Sequence, residues 1–265
     1  MQSQWLVFEV IVLGFGFAGL ASATATLANG SFDVAGTTTG AFWGTSAITA
    51  GLQGWTILGY TGSNAQIECV VPASANAQIC NGNDPSTLDS SGAHKGQYYF
   101  SLYQYPGASP NGGNYFLADG DPGFNTALQQ TVTGLTIGST YQVSFWQAAG
   151  QENCGVDDGA TCDPPGGANL TGLWQVTFGG TTRTSTMMTT TPHGLTGWNQ
   201  QTMTFTATGT SQLLSFLAVG TPAGAPPIVM LDGITINAVP EPETGTLWGL
   251  GLVTLALVKL RRKRA

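Results

Sequence analysis

Apolar and polar residues alternate along most of the middle of the chain, and no helical periodicity longer than a few residues interrupts this alternation. Residues 140–146 read Thr-Tyr-Gln-Val-Ser-Phe-Trp, which places Tyr141, Val143 and Phe145 on one face of a strand. Residues 202–207 alternate Thr with Met, Phe and Ala in the same way. Both segments are therefore predicted to be strands with one buried face and one solvated face.

Several further segments carry strand signals and are separated by turns rich in Gly, Pro and Asn. They are residues 55–60, 67–71, 97–105, 115–118, 173–178, 212–219 and 228–236. The segment Thr133–Gly138 is predicted to connect two paired strands. Because strands are many and helices do not alternate with them, we predict an all-β fold, a two-sheet antiparallel sandwich or jelly roll over residues 24–238.

The charge of the chain is unevenly distributed. Only 8% of the residues are charged, and five of the seven basic residues lie within the last seven positions. Residues 24–238 hold eleven acidic residues against Lys95 and Arg183, a formal net charge of −9. A body this acidic repels phosphate backbones, which excludes nucleic acid as a partner.

The N-terminal segment has the pattern of a secretion signal. The residues from Leu6 to Leu20 are nearly all apolar, and the small residues Ala21, Ser22 and Ala23 follow them. This order predicts a helical signal peptide over residues 1–23 with cleavage after Ala23. The competing interpretation is a buried N-terminal strand or helix of the domain itself.

The C-terminal segment, residues 239–265, combines three features in a fixed order. Val239, Pro240, Glu241 and Pro242 precede an apolar run over residues 247–258, and a basic end follows. The run is shorter than the ~20 residues of a full membrane span, but terminal Lys and Arg side chains can reach the interface, so we predict a short transmembrane helix. An ordinary C-terminal helix after a Pro-rich linker is the alternative.

This tail resembles the PEP-CTERM sorting signal of exported bacterial proteins, which a membrane enzyme called exosortase processes. The matching positions are the tripeptide Pro240-Glu241-Pro242 with Val239 before it, the apolar run, and the basic residues Arg261, Arg262, Lys263 and Arg264. The resemblance implies that the tail anchors the chain in the membrane transiently and is removed near the motif. It implies an exosortase-type partner and a final place at the cell surface or in the extracellular matrix.

The body resembles galactose-binding-like β-sandwiches and carbohydrate-binding modules. The resemblance rests on Asn29–Asp33, on the central Leu128–Val132 segment, and on the closing Leu231-Asp232-Gly233-Ile234. In such sandwiches an acidic residue of the opening segment and the Asp of the last strand can hold a structural calcium ion. The resemblance therefore implies a calcium site at Asp33 and Asp232, with no other cofactor required.

Four cysteines in an exported chain indicate two disulfides. The pairs Cys69 with Cys80 and Cys154 with Cys162 would each close a short local loop, although all three connectivities are open. A zinc site is the competing interpretation, but the spacings are not of the C-x-x-C type and no His lies nearby in the sequence.

Sugar binding requires flat aromatic faces and polar partners for hydroxyl groups. Tyr103, Tyr105, Trp146 and Trp198 are the candidate glycan contacts, and burial in the core is the alternative role for each. The carboxylates Asp119, Asp121, Glu152 and Asp232 offer material for a glycosidase pair, but the sequence does not place any two of them together. No G-x-S-x-G nucleophile motif is present.

These observations predict an exported, non-enzymatic surface or matrix protein associated with exopolysaccharide. A carbohydrate-binding module with a defined glycan site is the alternative, and a secreted polysaccharide hydrolase is a third hypothesis.

Overall fold

The computed structural model describes residues 24–34, 52–58, 68–71, 79–83, 97–100, 102–123, 127–153, 163–225 and 227–240. Its regular structure is almost entirely strands, with one turn of 3-10 helix at Pro165–Gly167. The strands are β1 (Thr56–Leu58), β2 (Glu68–Val71), β3 (Ile79–Asn83), β4 (Gln97–Phe100), β5 (Tyr115–Asp119), β6 (Ala127–Thr133), β7 (Thr140–Gln151), β8 (Leu170–Phe178), β9 (Thr181–Thr184), β10 (Met188–Thr190), β11 (Asn199–Thr206), β12 (Ser211–Thr221) and β13 (Pro227–Ala238).

The strands form two antiparallel sheets. Sheet A has the order β1-β6-β12-β8-β10, with β9 also paired to β8, and sheet B has the order β11-β7-β13-β5-β2. Strands β3 and β4 form a separate two-stranded sheet. The predicted two-sheet antiparallel sandwich is confirmed. The predicted signal helix and C-terminal helix fall outside the described residues, and within those residues no helix is long and apolar enough to cross a membrane.

Large aromatic side chains fill the space between the two sheets. Phe116 and Phe145 of sheet B meet Trp174 and Phe216 of sheet A, with ring centroids 5.3 to 6.3 Å apart. The indole N–H of Trp174 donates to the carbonyl of Met230 at 3.0 Å and so joins the sheets directly. The predicted alternation of β7 is confirmed, because every second residue from Tyr141 to Phe145 is fully buried.

A second apolar cluster covers half of the outer face of sheet B. It includes Leu117, Ala148, Ile228 and Met230, all fully buried although they point away from the main core. The segments around residues 102–105 and 195–198 pack over these side chains. The other half of the outer face is left open to solvent, and it carries the polar residues described below.

Two local expectations are wrong. The segment Thr133–Gly138 does not connect paired strands, because β6 belongs to sheet A and β7 to sheet B. Leu135 is 2% exposed and packs between the sheets, which turns the chain from one layer to the other. The strand predicted over residues 97–105 ends at Phe100 as β4, and the chain from residue 103 continues as irregular structure.

The first and last described segments meet at the same end of the sandwich. Thr26 exchanges backbone hydrogen bonds with Thr133 at the end of β6. After β13, the N–H of Val239 donates to the carbonyl of Thr140 at the start of β7. Both segments therefore lie beside the β6–β7 turn.

Candidate functional site

The open half of the outer face of sheet B carries polar side chains in three rows across β11, β7 and β13. The backbone register sets these rows, because residues paired across antiparallel strands project from the same face. The rows are Gln200–Trp146–Asp232, Thr202–Ser144–Thr235 and Thr204–Gln142–Asn237. We call this surface the Trp146 face.

Trp146 is the single aromatic residue in these rows. Its side chain is half-buried, and a Cβ atom added at Gly233 would lie only 3.0 Å from its Cδ1 atom, so the indole lies over the backbone of Gly233. Within the described residues the indole N–H makes no hydrogen bond. The sequence alternation correctly placed Trp146 on the face of Gln142 and Ser144.

A β-bulge in β13 shapes the upper edge of the Trp146 face. The pairing of β13 with β7 shifts between Asp232 and Thr235, and Gly233 adopts a φ of 60° that favours glycine. The loop over residues 109–114 folds across this bulge. Ser109 donates its hydroxyl hydrogen to Oδ2 of Asp232, while the exposed Asn111 stands beside Gly233 and Trp146.

The opening segment of the domain packs on the same bulge. Ile234 donates its N–H to the carbonyl of Gly30 at 2.9 Å, and a Cβ atom at residue 30 would lie 2.1 Å from the carbonyl oxygen of Ile234. Only glycine permits so close an approach. Asp33 then reaches the 109–114 loop, where its Oδ1 accepts the N–H of Asn114 at 2.6 Å.

The structure thus brings Asp33 and Asp232, the two predicted calcium ligands, to the same corner. Burial raises the pKa of Asp232 to about 7; hydrogen bonds from Ser109, Gly233 and Asn111 oppose that rise, and the nearby charge of Asp33 adds to it. Two carboxylates beside hydroxyl and amide oxygens are donors of the kind Ca²⁺ prefers. Among the described residues, however, no three acidic, His or Cys side chains form a metal-binding group, so backbone carbonyls and water would have to complete the six to eight ligands.

The other three candidate glycan contacts lie outside the rows of the Trp146 face, in the segments around residues 102–105 and 195–198 that cover the other half of the same outer face. Trp198 precedes Gln200 by two residues and so borders the Trp146 face. Tyr105 and Trp198 pack against the second apolar cluster, and Trp198 meets Tyr115 edge-on with centroids 5.4 Å apart. Tyr103 stacks on His193 at 3.8 Å between centroids, and His193 Nε2 lies 2.7 Å from Oδ1 of Asp163. The structure therefore does not gather the four aromatic residues into one site.

Two of the carboxylates considered for hydrolysis, Asp119 and Asp121, lie together in one turn. Asp119 Oδ1 accepts the N–H of Asp121, and Asp121 accepts the N–H groups of Gly123 and Gly224. These hydrogen bonds hold a turn, as Asp residues in turns commonly do. Burial raises the pKa of Asp119 to about 7; its hydrogen bond from Asp121 opposes this rise, while the charge of Asp121 adds to it.

Several predicted positions lie partly or wholly outside the described residues. Cys69 is disulfide-bonded, but the side chain of Cys80 and both Cys154 and Cys162 lie outside the described residues, so the pairing stays a prediction. Val239 and Pro240 directly follow β13. The rest of the sorting motif and the signal-cleavage residues Ala21 and Ala23 lie outside the described residues.

Sequence reasoning missed Ser109, Asn111 and Gln200, which complete the surroundings of Trp146 and Asp232. Gln200 could have been found, because the alternation of 202–207 extended backward places it on the solvated face. Ser109 and Asn111 gave no signal, since a loop more than a hundred residues away in sequence folds onto Asp232.

No protein-family model and no curated protein matches this chain. Similar solved structures include TmCBM61 in complex with beta-1,4-galactotriose, at 16% identity over 80% of this chain and 97% of that one, with a TM-score of 0.33. Another is the CBM22-1 xylan-binding domain of Paenibacillus barcinonensis Xyn10C, at 14% identity over 54% of this chain and 83% of that one, with a TM-score of 0.31. A third is the C-terminal domain of EclA, a sugar-binding protein, at 15% identity over 58% of this chain and 90% of that one, with a TM-score of 0.33. The fold of this chain is established by its own strand pairing.

Proposed function

We propose that this chain is an exported, non-enzymatic surface protein that binds an extracellular polysaccharide through the Trp146 face. The observation that carries the proposal is a half-buried indole set among amide and hydroxyl side chains on the outer face of sheet B. A pyranose ring presents an apolar C–H face, which stacks on an aromatic ring, and a rim of hydroxyls, which needs donors and acceptors.

The arrangement of the Trp146 face suits an extended ligand. Gln142, Gln200 and Asn237 each offer both an amide donor and a carbonyl acceptor, and Ser144 and Thr202 offer hydroxyls that lie 3.2 Å apart. All of these side chains stand on paired strands, whose backbone holds them in fixed positions. A pre-organised surface of this kind loses little conformational freedom when it binds a polymer.

A structural role for calcium belongs to the same proposal. An ion at Asp33 and Asp232 would tie the opening segment and the 109–114 loop to the last strand, directly behind Asn111 and Trp146. Its contribution would be to hold the corner of the Trp146 face in place.

The cellular part of the proposal comes from the two ends of the sequence. The signal-like N-terminus and the sorting-like tail favour export, transient anchoring in the inner membrane, and processing by an exosortase-type enzyme. Intact-mass analysis of the protein from its native host tests this. The proposal expects loss of residues 1–23 and of the tail from near Pro240, and a mass that retains residues 247–265 would contradict it.

Binding is tested by affinity electrophoresis of the full-length protein and the variant Trp146→Ala against a panel of soluble polysaccharides. Trp residues at the centre of a binding surface commonly contribute about 2 kcal/mol, so we expect affinity to fall about thirtyfold. Leu213→Ala is the matched control, because the exposed Leu213 lies on β12 of sheet A and its replacement should leave binding unchanged. Equal retardation of the wild type and Trp146→Ala by every polysaccharide that is bound would refute the proposed face.

A further inference from the structure

A groove runs along one side of the sandwich, where the edge strand β9 of sheet A faces the edge strand β11 of sheet B. Its volume is about 570 Å³. Thr182 and Thr184 form one rim, and Thr202 and Thr204 form the other. Between the rims, Arg183 and Met203 face inward, because they pair with the buried residues Val176 and Val143.

Arg183 is the only Lys or Arg among the described residues, whereas seven Asp and Glu residues are described. Its guanidinium lies over the ring of Phe205, with 5.5 Å between Cζ and the ring centroid, and its side chain remains exposed. No carboxylate of the described part of the chain forms an ion pair with it. The guanidinium is therefore placed over Phe205, and no acceptor within the described residues occupies its hydrogen-bond donors.

The groove rims add uncharged polar groups. The hydroxyls of Thr184 and Thr204 make no hydrogen bond within the described residues, and alternate backbone groups of edge strands have no partner within a sheet. Such a mixture of donors and acceptors suits sugar hydroxyls. A planar guanidinium suits a carboxylate, which it can bind through two parallel hydrogen bonds.

The groove and the Trp146 face are continuous. Thr202 and Thr204 belong to both, and Thr202 is bonded to Ser144, which lies one row from Trp146. A polymer stacked on Trp146 can therefore cross β11 and reach Arg183. We infer that the β9–β11 groove is a subsite for an acidic sugar unit, and that the ligand is a mainly neutral polysaccharide with scattered carboxylate-bearing units, because the acidic body would repel a chain that is charged at every unit. This inference rests on the proposed function, which supplies the class of ligand. It adds that the ligand carries acidic units and that it contacts the protein at a second place, Arg183.

Isothermal titration of the full-length protein with a xylotriose that carries one glucuronic acid branch, and with the methyl ester of that branch, tests the inference. The two probes share one carbohydrate skeleton and differ only in charge. We expect the wild type to bind the acid about tenfold more tightly than the ester, as is typical when one charge-assisted pair is gained. Arg183→Gln should bind the acid no better than the ester, and its affinity for the ester should equal that of the wild type.

Arg183→Lys keeps the charge without the planar fork, so it should retain part of the preference for the acid. Trp146→Ala should weaken the binding of both probes by a similar factor, which separates the Trp146 face from the groove.

The inference is overturned if wild type and Arg183→Gln show the same preference, if the wild type binds both probes equally, or if it binds neither. If the wild type binds neither probe but binds a neutral polysaccharide of the electrophoresis panel, and Trp146→Ala weakens that binding, then the proposed function stands and only the acidic subsite is wrong. A drop in melting temperature of Arg183→Gln without a change in its preference would assign Arg183 to the shielding of Phe205 alone.

Discussion

The buried carboxyl of Asp119 makes the stability of this protein depend on pH in an unusual direction. Asp119 ends β5 and is only 8% exposed, and burial raises its pKa to about 7 from the ordinary 3.8. The folded state therefore keeps a proton that the unfolded state releases between about pH 4 and 7. The stabilising contribution is complete below the ordinary pKa of 3.8 and is lost as the pH rises through about 7.

The size of this effect follows from the two pKa values. A tenfold change in proton affinity corresponds to about 1.4 kcal/mol, so the full difference is worth at most about 4 kcal/mol. Small movements of the turn around Asp121 would relieve part of that cost. We therefore expect the substitution Asp119→Asn to raise the free energy of unfolding by about 2 to 4 kcal/mol at pH 8.5, because the amide cannot ionise and can still accept the N–H of Asp121.

Urea unfolding followed by tryptophan fluorescence at pH 4 and pH 8.5 measures this difference. At pH 4 the two proteins should agree within about 1 kcal/mol, since the folded wild type is then protonated at Asp119. Comparing the two proteins at each pH removes the contributions of all other titrating groups. A difference between wild type and variant that is the same at both pH values would refute the argument.

Two further predictions concern the corner where the opening segment meets the last strand. Gly30→Ala should lower the free energy of unfolding by more than about 3 kcal/mol, because the added Cβ atom would lie 2.1 Å from a backbone oxygen. Gly209→Ala is the control in the same urea unfolding assay. Its added Cβ atom would have no neighbour closer than 3.4 Å, so it should lower the free energy by less than about 1 kcal/mol. Adding Ca²⁺ to protein treated with a chelator should raise the melting temperature of the wild type but not of Asp33→Asn or Asp232→Asn; an unchanged wild-type melting temperature would contradict a calcium site at Asp33 and Asp232.

The sequence predicted those strands that carry one apolar face. In β7 and β11 the alternation of Tyr, Val, Phe and Met with polar residues reflects a sheet with one buried side, so both the strands and the side of Trp146 could be predicted. Strand β9 escaped notice, because Thr181–Thr184 lies at an exposed edge and contains no apolar residue.

What the sequence could not supply was the order of the layers and the contacts between distant segments. The β6–β7 turn has the composition of a hairpin, and only the burial of Leu135 between the sheets shows that it crosses from one to the other. The same limit applied to the site. Trp146 was correctly assigned to its face, but the groove beside it depends on two edges, at Arg183 and Met203, that meet only when the sandwich closes.

Both ends of the described part of the chain lie beside the β6–β7 turn, at the same end of the sandwich. Thr24 and Pro240, the first and last residues of the described part of the chain, both lie at this end of the sandwich. The last strand before the exit is β13, which is hydrogen-bonded on both sides, to β7 and to β5. A pull on the C-terminal end along β13 would load both ladders in shear, so many hydrogen bonds would have to break together. Tension applied along β13 would therefore meet more resistance than tension applied to an edge strand of either sheet.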